Sequence, residues 1–235
     1  MKRIRRHDRD PVLADGTPHP LKILPVAFDE ERLEVHYHRT GWRHLDYEID
    51  RVKQRHTVAL ILADGQHAGS LDINEFRVSR FIDSSEFLDD LDSVSQATFN
   101  LADVICANWD DISEISDYGD IVELNRAWME SSLSGRGLFS ATTNSLIGHL
   151  FKGRSLLMLK AFPLEYEGKV AIENKESFLH RQRAMMRHYQ RILAVSPFPG
   201  GDGKDGWMYS VPGHLKGLIS PPSGRAEESS SSRRD

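Results

Sequence analysis

The chain has 235 residues, of which 39% are hydrophobic and 28% charged, so it is long enough for one domain with a sizeable core, and its composition fits neither a disordered nor a membrane protein. No apolar run approaches the ~20 residues that span a bilayer, and the basic start, Met1 to Arg6, runs into charged and Pro-rich chain where a signal peptide needs an apolar segment. The net charge of -5 argues against general nucleic-acid binding, and the single cysteine, Cys106, excludes an internal disulfide framework and fits a cytoplasmic protein.

Residues 1–20, with Pro11, Pro18 and Pro20, read as a flexible basic arm, and residues 218–235, ending in SGRAEESSSSRRD, read as a disordered tail. One domain is expected between them, over residues 21–217. His36 and His38 share a strand face, but no third ligand stands at an obvious spacing, so they read as solvated strand histidines and no metal is expected. Thr57 to Ala63 (TVALILA) is an apolar, β-branched run, and Asp64-Gly65 is the dipeptide that supplies positive φ for a hairpin turn into a returning strand from His67 to Phe76.

From Ser85 the apolar spacing changes to threes and fours through Phe87, Leu91, Val94, Thr98, Leu101, Ile105 and Trp109, which predicts one long amphipathic helix capped by Ser84 or Ser85. Cys106 lies in its apolar stretch and reads as packing, not as a nucleophile. Ile121 to Met129 reads as a strand, Ser131 to Gly137 as a turn, and Leu138 to Phe151 as a helix. Ser155 to Phe162 is a buried strand ended by Pro163, Phe178 to Ile192 a last helix, and Gly206 to Val211 a short strand. The order predicts an α/β mixed sheet with helices on its faces.

Charge is uneven along this order. Between Phe81 and Asn125 there are twelve acidic residues and no Lys, Arg or His, whereas Arg126 to Lys216 holds thirteen Lys or Arg against seven Asp or Glu. Such a chain either holds a cationic acceptor beside an anionic cofactor or presents two solvated faces of opposite sign.

A strand feeding a glycine turn and then a helix makes an anion site, because unpaired amides and the helix dipole converge there. Ser134-Gly135-Arg136-Gly137-Leu138-Phe139 has that form. It is not a P-loop, since no Gly-Lys-Ser or Gly-Lys-Thr occurs, and Ser140 stands where a dinucleotide fingerprint needs glycine.

With this turn, and with His188-Tyr189-Gln190-Arg191-Ile192-Leu193, Trp207-Met208-Tyr209 and Phe162-Pro163-Leu164-Glu165-Tyr166 downstream, the chain resembles the GNAT superfamily of N-acyltransferases over roughly residues 57 to 211. It departs from the family pattern at Ser134, Phe139, Gln182, Met185 and Leu193-Ala194. The resemblance implies a central, mostly antiparallel sheet flanked by helices, with a V-shaped opening for acyl-CoA. It implies transfer of an acetyl or short acyl group from acetyl-CoA or another acyl-CoA to an amine. Ser134, Gly135, Arg136, Gly137, Leu138 and Phe139 would then form the cofactor turn, and Met129 would bond the pantetheine. Glu123 is the candidate base and Tyr189 resembles the family's general acid. An amine acceptor is the implied partner, a homodimer is compatible with it, and no membrane is. The alternative is a catalytically silent GNAT-like module that binds acyl-CoA or a protein.

Overall fold

The computed structural model describes residues 21–29, 32–45, 51–133, 135–166 and 175–222. The arm over residues 1–20, the tail from Ser223 onward and Ser134 lie outside the described residues. Among the described residues nine strands form one sheet: β1 (Lys22–Val26), β2 (Leu33–Arg39), β3 (Arg43–His44), β4 (Val52–Ala63), β5 (Gln66–Val78), β6 (Asp120–Met129), β7 (Arg154–Lys160), β8 (Ser196–Pro197) and β9 (Trp207–Ser210). Their order is β1-β2-β4-β5-β6-β7-β9-β8, with β3 beside β4. Every pair is antiparallel except β6 with β7.

The pattern follows from period-two alternation and turn chemistry. In β2, Leu33, Val35 and Tyr37 are buried while Glu34, His36 and His38 take the other face. The β4-β5 hairpin turns on Asp64 at φ 50° and Gly65 at φ 77°, as a two-residue turn requires. Parallel β6 and β7 need a crossover, and α4 (Leu138–Leu150) supplies it.

Helices cover both faces. On one, α4 and α5 (Lys175–Leu193) bury Leu138, Leu146, Tyr189 and Leu193 against Val35, Ile61, Ile73, Leu124 and Leu157. On the other, α1 (Ser84–Asp92), α2 (Gln96–Asn108) and α3 (Ser113–Ser116) bury Phe87, Leu101, Ile105 and Ile115 against Phe76, Ile121 and Met158. The short α6 (Gly200–Lys204) joins β8 to β9.

Three expectations change. The long helix from Ser85 is two helices, because Ser93 Oγ donates to the Asp90 carbonyl and Ser95 Oγ accepts from the Thr98 amide at 3.2 Å, which restarts the chain as α2. The cap of α1 is Asp83, not Ser84 or Ser85: its carboxylate accepts from the Ser85 and Glu86 amides while Glu86 accepts from the Asp83 amide, a reciprocal capping box. The packed chain also continues past Gly217, since Ile219 is buried and Trp109 Nε1 donates to the Ser220 carbonyl at 2.9 Å.

Candidate active site in the split between β6 and β7

Pairing of β6 with β7 runs from Asp120 and Arg154 to Leu124 and Leu159 and stops there. Asp72 faces Arg126 and Ile73 faces Leu124, which leaves Asn125 as an extra residue in β6. Such a bulge bends its strand, and here it does so where β6 leaves β7. The edge of β6 from Asn125 to Met129 then faces an opening instead of a partner strand. A cavity of about 170 Å³ fills the opening, and Glu123, Asn125, Arg126, Lys160 and Tyr189 are among its lining residues, with Asn100 reaching it from α2.

Glu123 is 6% exposed. Burial pushes its carboxyl up to about 7; the hydrogen bond from Asn74 opposes the rise, and the nearby Asp72 carboxylate adds to it. Asn74 lies directly across from Glu123 on β5 and donates through Nδ2 to Glu123 Oε2 at 2.8 Å. Its own carbonyl oxygen accepts from Gln54 Nε2 at 3.4 Å. On the same face His56 Nε2 meets Asp72 Oδ1 at 2.5 Å, and this bond raises the His56 pKa despite partial burial. A carboxyl poised near neutrality in a cleft is suited to general acid or base work.

Tyr189 reaches the cavity from α5. It is 8% exposed, and burial pushes its phenol up to about 12, so the hydroxyl keeps its proton across the physiological range. Among the described residues it makes no hydrogen bond. The ring of Phe139 lies beside it with centroids 6.1 Å apart. Gln182, one of the departures from the family pattern, is buried one turn and more before Tyr189 and donates through Nε2 to the Asp205 carbonyl at 3.0 Å. A β-carbon on Gly206, at φ 94°, would stand 2.5 Å from that nitrogen, so this glycine lets α5 seat against the sheet.

The Gly135 to Gly137 turn lies outside the lining of this cavity. Met129 ends β6 half-buried, and Ser131–Leu133 forms a single 3-10 turn. Gly135 and Gly137 take φ 82° and 85°, and Gly137 caps α4 without any side-chain hydrogen bond. The amides of Leu138, Phe139 and Ser140 therefore lack a side-chain cap, while Leu138 buries its side chain and Phe139 half-buries its own. Arg136 is exposed at the same turn. A β-carbon on Gly135 would meet nothing within 4 Å, and one on Gly137 only the Phe28 ring at 3.6 Å, so the turn leaves the backbone open to a pyrophosphate.

Glu123 and Tyr189, 66 positions apart in the sequence, are thus brought to one cavity. The sequence reading missed Asn74, Asp72, His56, Asn100, Arg126 and Lys160. Register counted back from the Asp64-Gly65 hairpin places Asn74 on β5, but its pairing with Glu123 depends on the bulge at Asn125, which nothing in the sequence marks. Among the described residues no group of three His, Cys, Asp or Glu could hold a metal ion, and no helix is long and apolar enough to cross a membrane. Cys106 is half-buried, with its thiol donating to the Ser84 carbonyl.

No protein-family model matches the chain, and no curated protein matches its sequence. Solved structures similar to the chain include two at low identity. One is AtaT complexed with acetyl-methionyl-tRNAfMet, at 12% identity over 71% of this chain and 76% of that one, with a TM-score of 0.32. The other is arylalkylamine N-acetyltransferase 2 from Aedes aegypti, at 15% identity over 66% of this chain and 72% of that one, with a TM-score of 0.33. At these values neither likeness bears on what the chain does. The topology itself, among the described residues, is a mostly antiparallel sheet with one parallel strand pair that splays open between flanking helices, the mixed α/β architecture the sequence order predicts.

Proposed function

We propose that the chain is an acyl-CoA-dependent N-acyltransferase that moves an acetyl or short acyl group to an amine. The observation that carries this reading is the split after Leu124 and Leu159, whose cavity is lined by both a buried carboxyl and a buried phenol and whose two strands are joined through the uncapped start of α4.

The amides of Gly135 to Phe139 and the charge of Arg136 would hold the pyrophosphate of acyl-CoA, as helix dipole and open backbone favour. The free edge of β6 down to Met129 would take the pantetheine arm as an added strand and hydrogen-bond the thioester carbonyl. Acyl-CoA supplies the activated acyl group. Glu123, ionised above about pH 7, accepts a proton from the acceptor ammonium, and the freed nitrogen attacks the thioester carbon. The carbon–nitrogen bond forms, the carbon–sulfur bond breaks as Tyr189 gives its proton to the departing sulfur, the nitrogen sheds its second proton to leave the amide, and that proton restores the phenol through solvent. Holding both reactants in the split supplies the proximity term.

The test is release of the coenzyme A thiol from acetyl-CoA in the presence of an amine panel, with mass spectrometry of the acylated product. Amine-dependent release that is lost in Glu123→Gln supports the reading. Binding of acetyl-CoA with no turnover on any amine would favour the silent module instead.

A further inference from the structure

A second groove, of about 510 Å³, lies between α5 and the segment of β8 and α6, and no residue lines both it and the cavity at Glu123. Leu179, Gln182, Arg183 and Met186 line it from α5, and their spacing by threes and fours puts them on one flank of the helix. The facing wall is Pro197 and Phe198 with Gly200, Gly203 and Lys204 of α6. Gly203 is held to glycine, because a β-carbon there would overlap the Phe198 carbonyl oxygen. Gln182 fastens the two walls through its 3.0 Å hydrogen bond to the Asp205 carbonyl. The groove is therefore built by fixed contacts of the fold.

Its interior is apolar and its edges are cationic. Leu179 and Met186 are half-buried and Phe198 is 3% exposed, whereas Arg183 and Lys204 are exposed, one on each wall. Arg183 follows Gln182 and Lys204 precedes Asp205, so the hydrogen bond between Gln182 and Asp205 ties both cations to the same stretch of the groove. Among the described residues neither cation has a hydrogen bond or ion pair, whereas Arg181 on the same helix pairs with Glu165 at 3.1 Å. The acids nearby leave a surplus. Asp202 accepts from Asn108 Nδ2 at 2.8 Å and so is turned toward α2. Asp205 is exposed beside Lys204 and pairs with neither cation among the described residues. Two cations less this one carboxylate leave one positive charge along an apolar groove, and like charges facing each other are relieved by an anion between them.

We propose that this groove binds a free carboxylic acid with an apolar body of medium-chain or aromatic size, its carboxylate between Arg183 and Lys204 and its body against Leu179, Met186 and Phe198. The volume falls within the roughly 300–1,000 Å³ of small-molecule sites, whose usual make-up is an apolar lining with a few placed polar groups. A guanidinium suits a planar carboxylate, and a single surplus charge matches a monoanion better than a doubly charged phosphate. The site is independent of the acyltransferase reading, since groove and cavity share no lining residue.

The test is calorimetric titration of the full chain with hexanoate, octanoate and decanoate, and with octanamide, octylamine and octyl phosphate as controls. Each added methylene should tighten binding about threefold to fourfold, as burial of a CH₂ predicts. Octanamide, octylamine and octyl phosphate should each bind at least tenfold more weakly than octanoate. Arg183→Met and Lys204→Met change exposed positions and keep an apolar stem, so together they should weaken octanoate at least tenfold with the melting temperature held. Met186→Glu sets a carboxylate against the groove and should abolish binding. No heat with octanoate at millimolar concentration overturns the proposal, as does an affinity independent of chain length or unchanged in the double variant. Octanamide or octyl phosphate bound as tightly as octanoate also overturns it, and so does competitive displacement of octanoate by acetyl-CoA, which would give the groove to the cofactor.

Discussion

Replacing Glu123 with Gln should make the protein more stable at pH 8 and leave its stability unchanged at pH 4. Gln has the same shape, and its carbonyl oxygen can still accept from Asn74 Nδ2, so little changes besides the titrating proton. Below pH 4.5, the ordinary value for this carboxyl, folded and unfolded chains are both protonated and nothing is gained. Between 4.5 and about 7 the unfolded carboxyl has lost its proton while the folded one keeps it, so unfolding releases a proton and stability falls as pH rises. Above about 7 the loss is complete. A displacement from 4.5 to about 7 corresponds to about 3 kcal/mol at ~1.4 kcal/mol per pH unit. For a domain of this size that is about 6–12 °C in Tm, at ~2–4 °C per kcal/mol. Thermal or urea denaturation of both proteins from pH 4 to pH 9 gives the difference curve directly. A constant difference at all pH values, or a Gln variant less stable at pH 8, would mean that Glu123 ionises in the fold without penalty, and the base assignment would lose its physical basis.

Tyr189→Phe keeps the ring beside Phe139 and should lower kcat by about 10²-fold or more with acetyl-CoA affinity intact; full turnover, or a change confined to Tm, would leave Tyr189 as a core tyrosine. Gly137→Val forces a side chain onto a residue at φ 85° and should abolish acetyl-CoA binding, whereas Gly65→Ala, at φ 77° in the β4-β5 hairpin and outside the Gly135 to Gly137 turn, carries comparable strain and should keep it. Equal binding by both would remove the pyrophosphate from this turn. Asn74→Leu takes away the one hydrogen bond that favours the charged form of Glu123, so the Glu123 titration followed by carbon-13 NMR should move further up, and the acid limb of kcat/KM with it. A limb that stays in place while the NMR titration moves would give the role of base to another group.

The elements of the β4-to-β7 region were legible because their signals are local. Asp64-Gly65 states its own backbone geometry, and the apolar runs of β4, β6 and β7 are strands on any period. Lys22–Val26 was missed because Pro25 breaks its pattern, although an edge strand tolerates it. In β2 His36 and His38 do share the strand face read for them, while the bounds of the strand rest on the alternation of Leu33, Val35 and Tyr37, which the sequence reading missed. The break at Ser93 to Ser95 was hidden because Val94 continues the helical spacing while its neighbours cap. For the site, Glu123 and Tyr189 were named from the resemblance to the GNAT superfamily, and both line the one cavity. Asn74 could not be named, because its contact is set by a register that shifts across the bulge, and Lys160 looked like the end of a buried strand, although it lines the cavity.

The most direct measurement is calorimetric titration of acetyl-CoA into the full chain, alongside its melting temperature with and without ligand. Saturable one-to-one binding is expected, with stability raised by about 2.7 kcal/mol at a free ligand concentration 100 times the dissociation constant. Gly137→Val should show neither effect. No heat and no thermal shift at millimolar acetyl-CoA in the folded wild-type chain would contradict the account.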